Sequence, residues 1–165
     1  MPEQRRVFDT VVLSNFLLSD SAEILAQRYK GRAAITWEVY DEITAGIVSR
    51  PMLATMETLV GKRQFEIIAL SPREHQTYSK LLGRLGKGEA SVIAVAQARR
   101  WIACSDDKAA RRECVQSGVK FTGTIGILKA ACMQGLLRRD QADLALRRMV
   151  ENGFYSPVLR ISDLL

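Results

Sequence analysis

Histidine and cysteine are scarce in this sequence, which excludes most of the sites that depend on them. His75 is the only histidine, and it lies in a polar segment, PREHQ, that is typical of the exposed start of a helix. The three cysteines, Cys104, Cys114 and Cys132, have no metal-ligand spacing and leave an odd number for pairing. Cys104 has no histidine at a suitable position to activate it as a nucleophile. The pattern indicates reduced, buried thiols in a cytosolic protein.

Long apolar runs, internal repeats and low-complexity segments are also missing. No stretch approaches the roughly 20 apolar residues that a membrane-spanning helix needs. The first residues, MPEQRRVFD, pass directly from two arginines into a predicted strand, so we expect no signal peptide and a cytoplasmic protein. With 165 residues, we expect a single domain with a core over about residues 5–137 and a C-terminal helical extension over residues 138–165.

The glycines do not form a phosphate-binding loop. The segment GRLGKGEA lacks the G-x-x-x-x-G-K-[ST] signature, and no strand leads into a G-x-G-x-x-G pattern there. A nucleotide-binding domain is therefore disfavoured.

Basic residues outnumber acidic ones, and the two are distributed differently. The chain has 24 Lys and Arg against 18 Asp and Glu, a net charge of +6 and a pI near 9.5. This balance favours an acidic partner, with nucleic acid first among the possibilities. Many of the bases occur in dispersed pairs that are typical of solvated helix faces. The acids cluster at the ends of predicted strands.

Short apolar segments alternate with helical patterns along the chain. Strands are predicted over residues 6–9, 33–36, 65–70, 101–104 and 119–122. Strands separated by helices favour a three-layer α/β/α sandwich with a mainly parallel sheet of four or five strands. If the strand order is 3-2-1-4-5, the carboxyl ends of the first and fourth strands meet at a topological switch point. Asp9 and the Asp106-Asp107 pair would then lie together.

Residues 85–112 concentrate acids around one helix and one strand. Gly86 and Gly88 precede a helix-forming, apolar run over residues 90–98, so Glu89 falls in the first turn of a predicted helix. Asp106 and Asp107 follow the strand over residues 101–104. Because ligands bind beyond the carboxyl ends of parallel strands, these acids are candidate site residues. The alternative is that Asp106 only caps the next helix, which would leave Glu89 unexplained.

Five segments together carry a recognisable pattern. In VFDTVVLSN an aspartate and a threonine lie between a strand and an apolar helix, and VYDEI has the form V-x-x-E-[LI]. A glutamate follows glycine in GEA, a Ser-x-Asp ends a strand in CSDDKAAR, and GVKFTGTIGILKAACMQGLL contains a G-T-x-G-x-L turn. In order and spacing these segments resemble the PIN-domain family of metal-dependent ribonucleases, in particular its VapC-like toxins and DUF3368-type subgroup. The resemblance covers most of residues 5–137.

The resemblance implies a set of site residues. The family's catalytic acids fall on Asp9, Glu42, Glu89 and Asp107; Asp41 is the alternative to Glu42, which fits the motif register better. The implied metal ligands are Asp9, Glu89, Asp106 and Asp107, with Asp106 or Asp107 as the main ligand of the fourth motif. Supporting roles fall on Thr10, Asn15, Ser105, Lys108 and Arg111.

The residue types suit this chemistry. Several carboxylates brought close together repel one another and raise each other's pKa unless a cation neutralises them. Oxygen-only ligands select hard cations, so the expected cofactor is Mg²⁺ or Mn²⁺. Such a cation would bridge the scissile phosphate and lower the pKa of an attacking water.

The resemblance therefore implies a metal-dependent endoribonuclease that cleaves single-stranded or looped RNA. It further implies the toxin of a type II toxin-antitoxin pair, with a small antitoxin partner and a homodimer. The alternative is a non-catalytic nucleic-acid-binding or protein-interaction module on the same fold. A phosphoryl-transfer domain of the response-regulator type is less suitable, because Lys120 lies within a predicted strand and not after it.

Overall fold

Five short strands form one parallel sheet in the computed structural model, which describes residues 3–165. The strands are β1 (Arg6–Phe8), β2 (Ala33–Thr36), β3 (Glu66–Ile68), β4 (Ile102–Cys104) and β5 (Phe121–Thr122). They follow the order β3-β2-β1-β4-β5, which confirms the predicted topology. Phe8 in β1 pairs with Cys104 in β4, so the ends of these two strands are direct neighbours.

Nine α-helices in residues 3–165 flank the sheet and complete the predicted α/β/α sandwich. They are α1 (Thr10–Leu18), α2 (Ala22–Arg28), α3 (Trp37–Gly46), α4 (Thr55–Gly61), α5 (Pro72–Leu81), α6 (Lys87–Arg99), α7 (Lys108–Gln116), α8 (Thr124–Met133) and α9 (Arg139–Glu151). Two 3-10 helices span Pro51–Ala54 and Ile161–Leu164. None of the helices in this part of the chain is long and apolar enough to cross a membrane.

Two boundaries differ from the prediction for local reasons. Strand β5 is shorter than predicted, because the Val119 amide donates to the Cys114 carbonyl in the turn that follows α7. The end of the predicted C-terminal extension forms a 3-10 turn and not a further α-helix, because the Asp143 carboxylate accepts hydrogen bonds from the amide and hydroxyl of Ser162.

The strands end in residues that also start the next helix. Asp9 follows β1 and caps α1, and Thr36 ends β2 and accepts a hydrogen bond from the Val39 amide in α3. Asp107 follows β4 and caps α7. These side chains satisfy amide groups that have no partner within their helices. Polar side chains are thereby collected at one edge of the sheet.

Helix α6 is the central helix of the core, as its apolar composition indicates. Ala90 and the residues as far as Ala96 are all buried. On the sheet, Phe8 packs edge-to-face against Tyr29 and Phe65, with ring centroids 5.5 and 5.3 Å apart. Burial of this kind holds the first turn of α6, and therefore Glu89, in a defined position.

An ion pair fixes the other end of α6 to α5. The Arg99 guanidinium donates to both carboxylate oxygens of Glu74, at 2.8 and 2.9 Å, and Ser71 and Glu74 form a capping box. Although burial would raise it, the hydrogen bonds from Arg99 and Ser71 hold the pKa of the Glu74 carboxyl below its usual value. The bidentate geometry restricts rotation of α6 relative to α5.

Candidate active site

Asp9 lies at the centre of a crevice at the carboxyl edge of the sheet. Its side chain is 2% exposed. One carboxylate oxygen accepts a hydrogen bond from the Thr10 amide at 2.7 Å, and the other accepts one from the Ser105 hydroxyl at 3.1 Å. Because Ser105 follows β4, this second bond joins the first and fourth motifs across the two neighbouring strands.

The surroundings of Asp9 disfavour its negative charge. Burial and the nearby charge of Glu89 raise the pKa of the Asp9 carboxyl from 3.8 to about 7, with a smaller contribution from Glu42. The hydrogen bonds from Thr10 and Ser105 oppose this increase without cancelling it. A carboxyl in this environment favours a proton or a cation as its neighbour.

Glu42 reaches the same crevice from α3. Its carboxylate accepts a hydrogen bond from the Thr10 hydroxyl at 3.2 Å. The carboxylate lies directly against Gly88 in α6, where a Cβ atom would collide with it. Asp41, the alternative acid, and Glu42 are both exposed on this helix, but within residues 3–165 only the Glu42 side chain is hydrogen-bonded to a residue of the crevice. The close approach between α3 and α6 therefore selects Glu42 as the acid that faces Asp9.

Glu89 enters the crevice from the first turn of α6, where the prediction placed it. It is partly buried. Burial and then the negative charge of Asp107 raise the pKa of the Glu89 carboxyl above its usual value, with a further contribution from Glu42. Glu89 is thus electrostatically linked to acids on both sides of the crevice.

Asp107 has two roles at the end of β4. One of its carboxylate oxygens accepts a hydrogen bond from the Ala110 amide at 2.8 Å and caps α7. Its own amide donates to the Ser105 hydroxyl at 3.2 Å. Its second carboxylate oxygen is left for the crevice, where its charge acts on Glu89.

Asp106 is not the helix cap, and that interpretation is wrong because α7 starts one residue later than it requires. The Asp106 carboxylate accepts hydrogen bonds from the Thr124 amide at 2.9 Å and hydroxyl at 2.5 Å, and from the Asn15 amide group at 3.2 Å. The Arg111 guanidinium lies 3.7 Å away and also donates to the Ser105 carbonyl at 2.9 Å. These contacts tie α1, α7 and α8 together beside the crevice.

Thr124 is a site residue that sequence reasoning missed. Its side chain is completely buried, and its hydroxyl also accepts a hydrogen bond from Asn15 at 3.1 Å. The signal was present in the G-T-x-G-x-L turn, but the motif does not show which residue the threonine contacts. The neighbouring Gly123 also belongs to this arrangement. A Cβ atom at its position would collide with the Asp106 and Arg111 side chains, so glycine allows them to approach α8.

A groove of about 990 Å³ opens beside the acids. Glu89, Asp107 and the exposed Lys108 line it near the crevice. The C-terminal segment lines it too, including Asn152 and the almost fully exposed Tyr155. Arg50 anchors this segment by donating to the Asn152 carbonyl at 2.9 Å. No local pattern in the sequence indicated that the C-terminal segment reaches the site.

The other candidates do not contribute to this site. His75 is exposed, as the sequence predicted, and its ring packs edge-on against Tyr78. Cys104 is buried under the crevice, and burial raises the pKa of its thiol, so it stays protonated. All three cysteines are free thiols.

The carboxylate oxygens of the crevice are the ligand type that a hard divalent cation prefers, although the side chains do not surround a single point. Within residues 3–165, no group of three or more Asp, Glu, His or Cys side chains lies close enough together to form a ready metal site. Even so, Asp9, Glu42, Glu89 and Asp107 form no ion pair with a Lys or Arg in that part of the chain. A cation that brings these carboxylates together would relieve their mutual repulsion.

Gly88→Ala tests the position of Glu42. The added methyl group would displace the Glu42 carboxylate, whereas alanine is favoured over glycine within a helix by about 1 kcal/mol. We therefore expect divalent-cation affinity to fall by about tenfold, as for the loss of an oriented group beside the metal ligands, without a decrease in melting temperature. Isothermal titration calorimetry and thermal melting measure the two quantities.

Gly61→Ala in α4 is the matched control, since no atom lies within 4 Å of its Cβ position. Equal cation affinity in the two variants would contradict the assignment of Glu42 to the cation site.

Comparison with known proteins agrees with this geometry. A family model described as "DUF3368: PIN domain" matches residues 5–165. No curated protein matches the chain. PIN domains are generally nucleases, and they generally use divalent metal ions. The match extends over nearly the whole sequence and includes every acid of the crevice, so this chain belongs to the PIN-domain family.

Proposed function

We propose that this protein is a Mg²⁺- or Mn²⁺-dependent endoribonuclease that cleaves single-stranded or looped RNA. The observation that carries the proposal is the buried Asp9 carboxyl, which has Glu42 and Glu89 as negative neighbours and no ion-pair partner among residues 3–165. Membership of the PIN-domain family supports a nuclease and a nucleic-acid substrate.

Asp9, Glu89 and Asp107 would hold the cation, with Glu42 beside them. When bound, Mg²⁺ or Mn²⁺ supplies charge neutralisation at the scissile phosphate and lowers the pKa of an attacking water. The hydroxyls of Thr10 and Ser105 orient the Glu42 and Asp9 carboxylates for this task.

The basic residues near the crevice have different roles. Lys108 is exposed in the groove and is suited to hold a phosphate that flanks the cleaved one. Arg111 is engaged with Asp106 and the Ser105 carbonyl, so it acts as a positioning residue. Asp106 likewise positions Asn15 and Thr124, which favours Asp107 over Asp106 as the main ligand.

The groove supports an RNA substrate with unpaired bases. Tyr155 is 93% exposed on the C-terminal wall, and Arg50 lies beside it in the lining. Exposed aromatic rings and guanidinium groups stack on unpaired bases, which are accessible in loops and single strands. The net charge of +6 adds a general attraction to the RNA backbone.

We further propose, from the resemblance to VapC-like toxins, that the chain is the toxin of a type II toxin-antitoxin pair. A small antitoxin protein and a second copy of the chain are then its expected partners, and the cytoplasm is its expected location. These assignments depend on the resemblance and on family membership.

Metal-dependent cleavage of RNA tests the proposal. Purified protein is expected to cut a labelled single-stranded RNA internally in Mn²⁺ or Mg²⁺ but not in EDTA, and to cut a fully paired RNA of the same sequence more slowly. Gel electrophoresis measures the products, and DNA of the same sequence is the substrate control. A separate experiment tests the toxin role: induction of this chain alone should arrest the growth of the host cells. RNA that stays intact across a range of loops and metal concentrations would contradict the proposal.

A non-catalytic nucleic-acid-binding module is the second candidate, favoured by the lack of a ready metal site among the described residues. Such a module would bind RNA with an affinity that falls steeply with salt. It would give no product at any concentration of Mn²⁺. The cleavage experiment therefore separates the two candidates.

A further inference from the structure

A second cavity of about 500 Å³ lies on the other side of the junction between β5 and α8 from the acidic groove. Arg6, Arg28 and Lys120 are among its lining residues, and none of the described residues that line it is acidic. Its positive character distinguishes it from the crevice around Asp9. The two cavities share Thr122 and Gly126, so they are separated only by this junction.

The positive charges of this cavity have no counter-ions in the described part of the chain. Arg6, Arg28 and Lys120 form no ion pair there, although the neighbouring Arg5 and Arg32 pair with Glu66 and Glu3. Arg28 is buried, Arg6 is half-buried and Lys120 is exposed. A buried charge without a partner is destabilising, so the Arg28 guanidinium in particular calls for a ligand of opposite charge.

Arg28 is the most informative member of the group. It is only 9% exposed, and one guanidinium nitrogen donates to the Gln134 side chain at 2.6 Å. Its Nε atom is buried and has no hydrogen-bond partner in residues 3–165. A guanidinium offers five N–H donors in a planar fork, and most of them remain unused here.

Tyr29 holds the guanidinium groups in place but does not neutralise them. The guanidinium carbons of Arg6 and Arg28 lie 5.1 and 4.8 Å from the centroid of its ring. Stacking of this kind orders the cations without supplying an acceptor for their N–H groups. Burial raises the pKa of the Tyr29 hydroxyl to about 12, so the residue stays neutral. Arg6 donates one N–H to the Gln4 carbonyl at 2.6 Å, and the remaining donors of the two guanidinium groups are held in position for an external acceptor.

We propose that this cavity is a binding site for a phosphate group. Two stacked guanidinium groups and the exposed Lys120 at the rim match the charge and the several acceptor oxygens of a phosphate. The phosphate belongs either to the RNA in the adjacent groove or to a free phosphate compound. The RNA source rests on the proposed nuclease function, whereas phosphate binding itself does not.

Titration of the metal-free protein with inorganic phosphate in EDTA tests the site. Isothermal titration calorimetry is expected to show one saturable site, with affinity reduced about tenfold in Lys120→Gln, as for the loss of one charge-assisted hydrogen bond. Lys62→Gln removes an equal charge from the exposed end of α4 and should bind as the wild type does. No saturable binding, or equal losses in the two variants, would overturn the proposal.

Arg28 needs a separate measurement because its burial makes substitution a risk for folding. Arg28→Lys keeps the charge but removes the fork, and we expect it to reduce phosphate affinity by more than about tenfold. Circular dichroism identifies any unfolded variant. If a folded Arg28→Lys protein binds phosphate as tightly as the wild type does, Arg28 is not part of the site and the proposed arrangement of donors is wrong.

Two RNA oligonucleotides identify the source of the phosphate. A 5′-phosphorylated single strand and its 5′-hydroxyl counterpart are compared in EDTA as competitors of inorganic phosphate. Competition by both strands assigns the cavity to a backbone phosphate of the RNA, and competition by the phosphorylated strand alone assigns it to the terminal phosphate. Phosphate binding without competition by either strand assigns the cavity to a free phosphate compound. If phosphate binds but RNA is never cleaved in Mn²⁺, the proposed nuclease function fails while this site stands.

Discussion

Asp9→Asn is expected to abolish RNA cleavage and to stabilise the metal-free protein at pH 8. Loss of the central carboxylate should reduce the cleavage rate by about a thousandfold, as expected when an electrostatic group of a metal site is removed. The gain in stability follows from the pKa of the native carboxyl, which is about 7 against 3.8 for the ordinary group. The same burial that makes Asp9 suitable for a cation makes its free charge unfavourable.

The pH dependence gives this prediction a definite sign. As the pH rises from about 4 to 7, the unfolded chain loses the Asp9 proton first, so the native state loses stability relative to it. Above pH 7 the ionised Asp9 carboxylate lowers the free energy of unfolding of the metal-free wild type by at most roughly 4 kcal/mol. Asparagine carries no charge, so at pH 8 the variant is expected to be more stable by roughly 2 kcal/mol after relaxation of the site. At pH 4, close to the ordinary pKa of 3.8, most of this difference in stability should be gone.

Urea denaturation at the two pH values measures the effect, with Mg²⁺ present or absent. Mg²⁺ should stabilise the wild type at pH 8 and leave Asp9→Asn unchanged. Asp41→Asn is the matched control, because it removes an exposed acid from the neighbouring helix α3. A variant that is less stable than the wild type at pH 8, or one that still cleaves RNA, would refute the assignment of Asp9.

Asp106→Asn and Asp107→Asn are expected to have opposite effects. Asp107→Asn should reduce cleavage by at least about a hundredfold while the free energy of unfolding changes little, because asparagine caps a helix as well as aspartate does. Asp106→Asn should lower the free energy of unfolding by roughly 2 kcal/mol, because its new amide group faces donors from Asn15 and Thr124. It should retain metal-dependent cleavage below its melting temperature.

The pair is informative because the two residues are adjacent and the substitutions are identical. Urea denaturation gives the change in stability, and single-turnover cleavage gives the change in rate. If Asp107→Asn unfolds the protein while Asp106→Asn remains stable and inactive, the roles of the two acids are exchanged and Asp106 is the ligand.

Much of the fold follows from patterns that act over short distances. Apolar segments bounded by polar or glycine-rich residues indicated the five strands, and alternation with helices indicated a parallel sheet. Glu89 was correctly placed in the first turn of α6, because glycines and a run of helix formers define that start locally. The strand order 3-2-1-4-5 was a hypothesis, because spacing along the chain does not fix it, and the structure has this order.

Contacts between distant segments were beyond the reach of such patterns. Thr124 lies in a recognisable turn, yet its partners Asp106 and Asn15 come from two other elements. Asp106 and Asp107 are equally good caps in the sequence, and only the packing of α7 decides which of them caps it. No local pattern indicated that the C-terminal segment forms a wall of the groove. None indicated that the Arg28 Nε atom would be buried without a hydrogen-bond partner among residues 3–165.

The sequence by itself determined the alternation of strands and helices, the acids available at strand ends and the family to which these motifs point. Hydrophobic periodicity and capping preferences are properties of neighbouring residues, so they can be recognised without a fold. Only the tertiary structure decided that Glu42 meets Thr10 beside Gly88, and that three cations share a cavity without an acid. Burial and charge balance depend on which segments pack together, and that packing sets the chemistry of both sites.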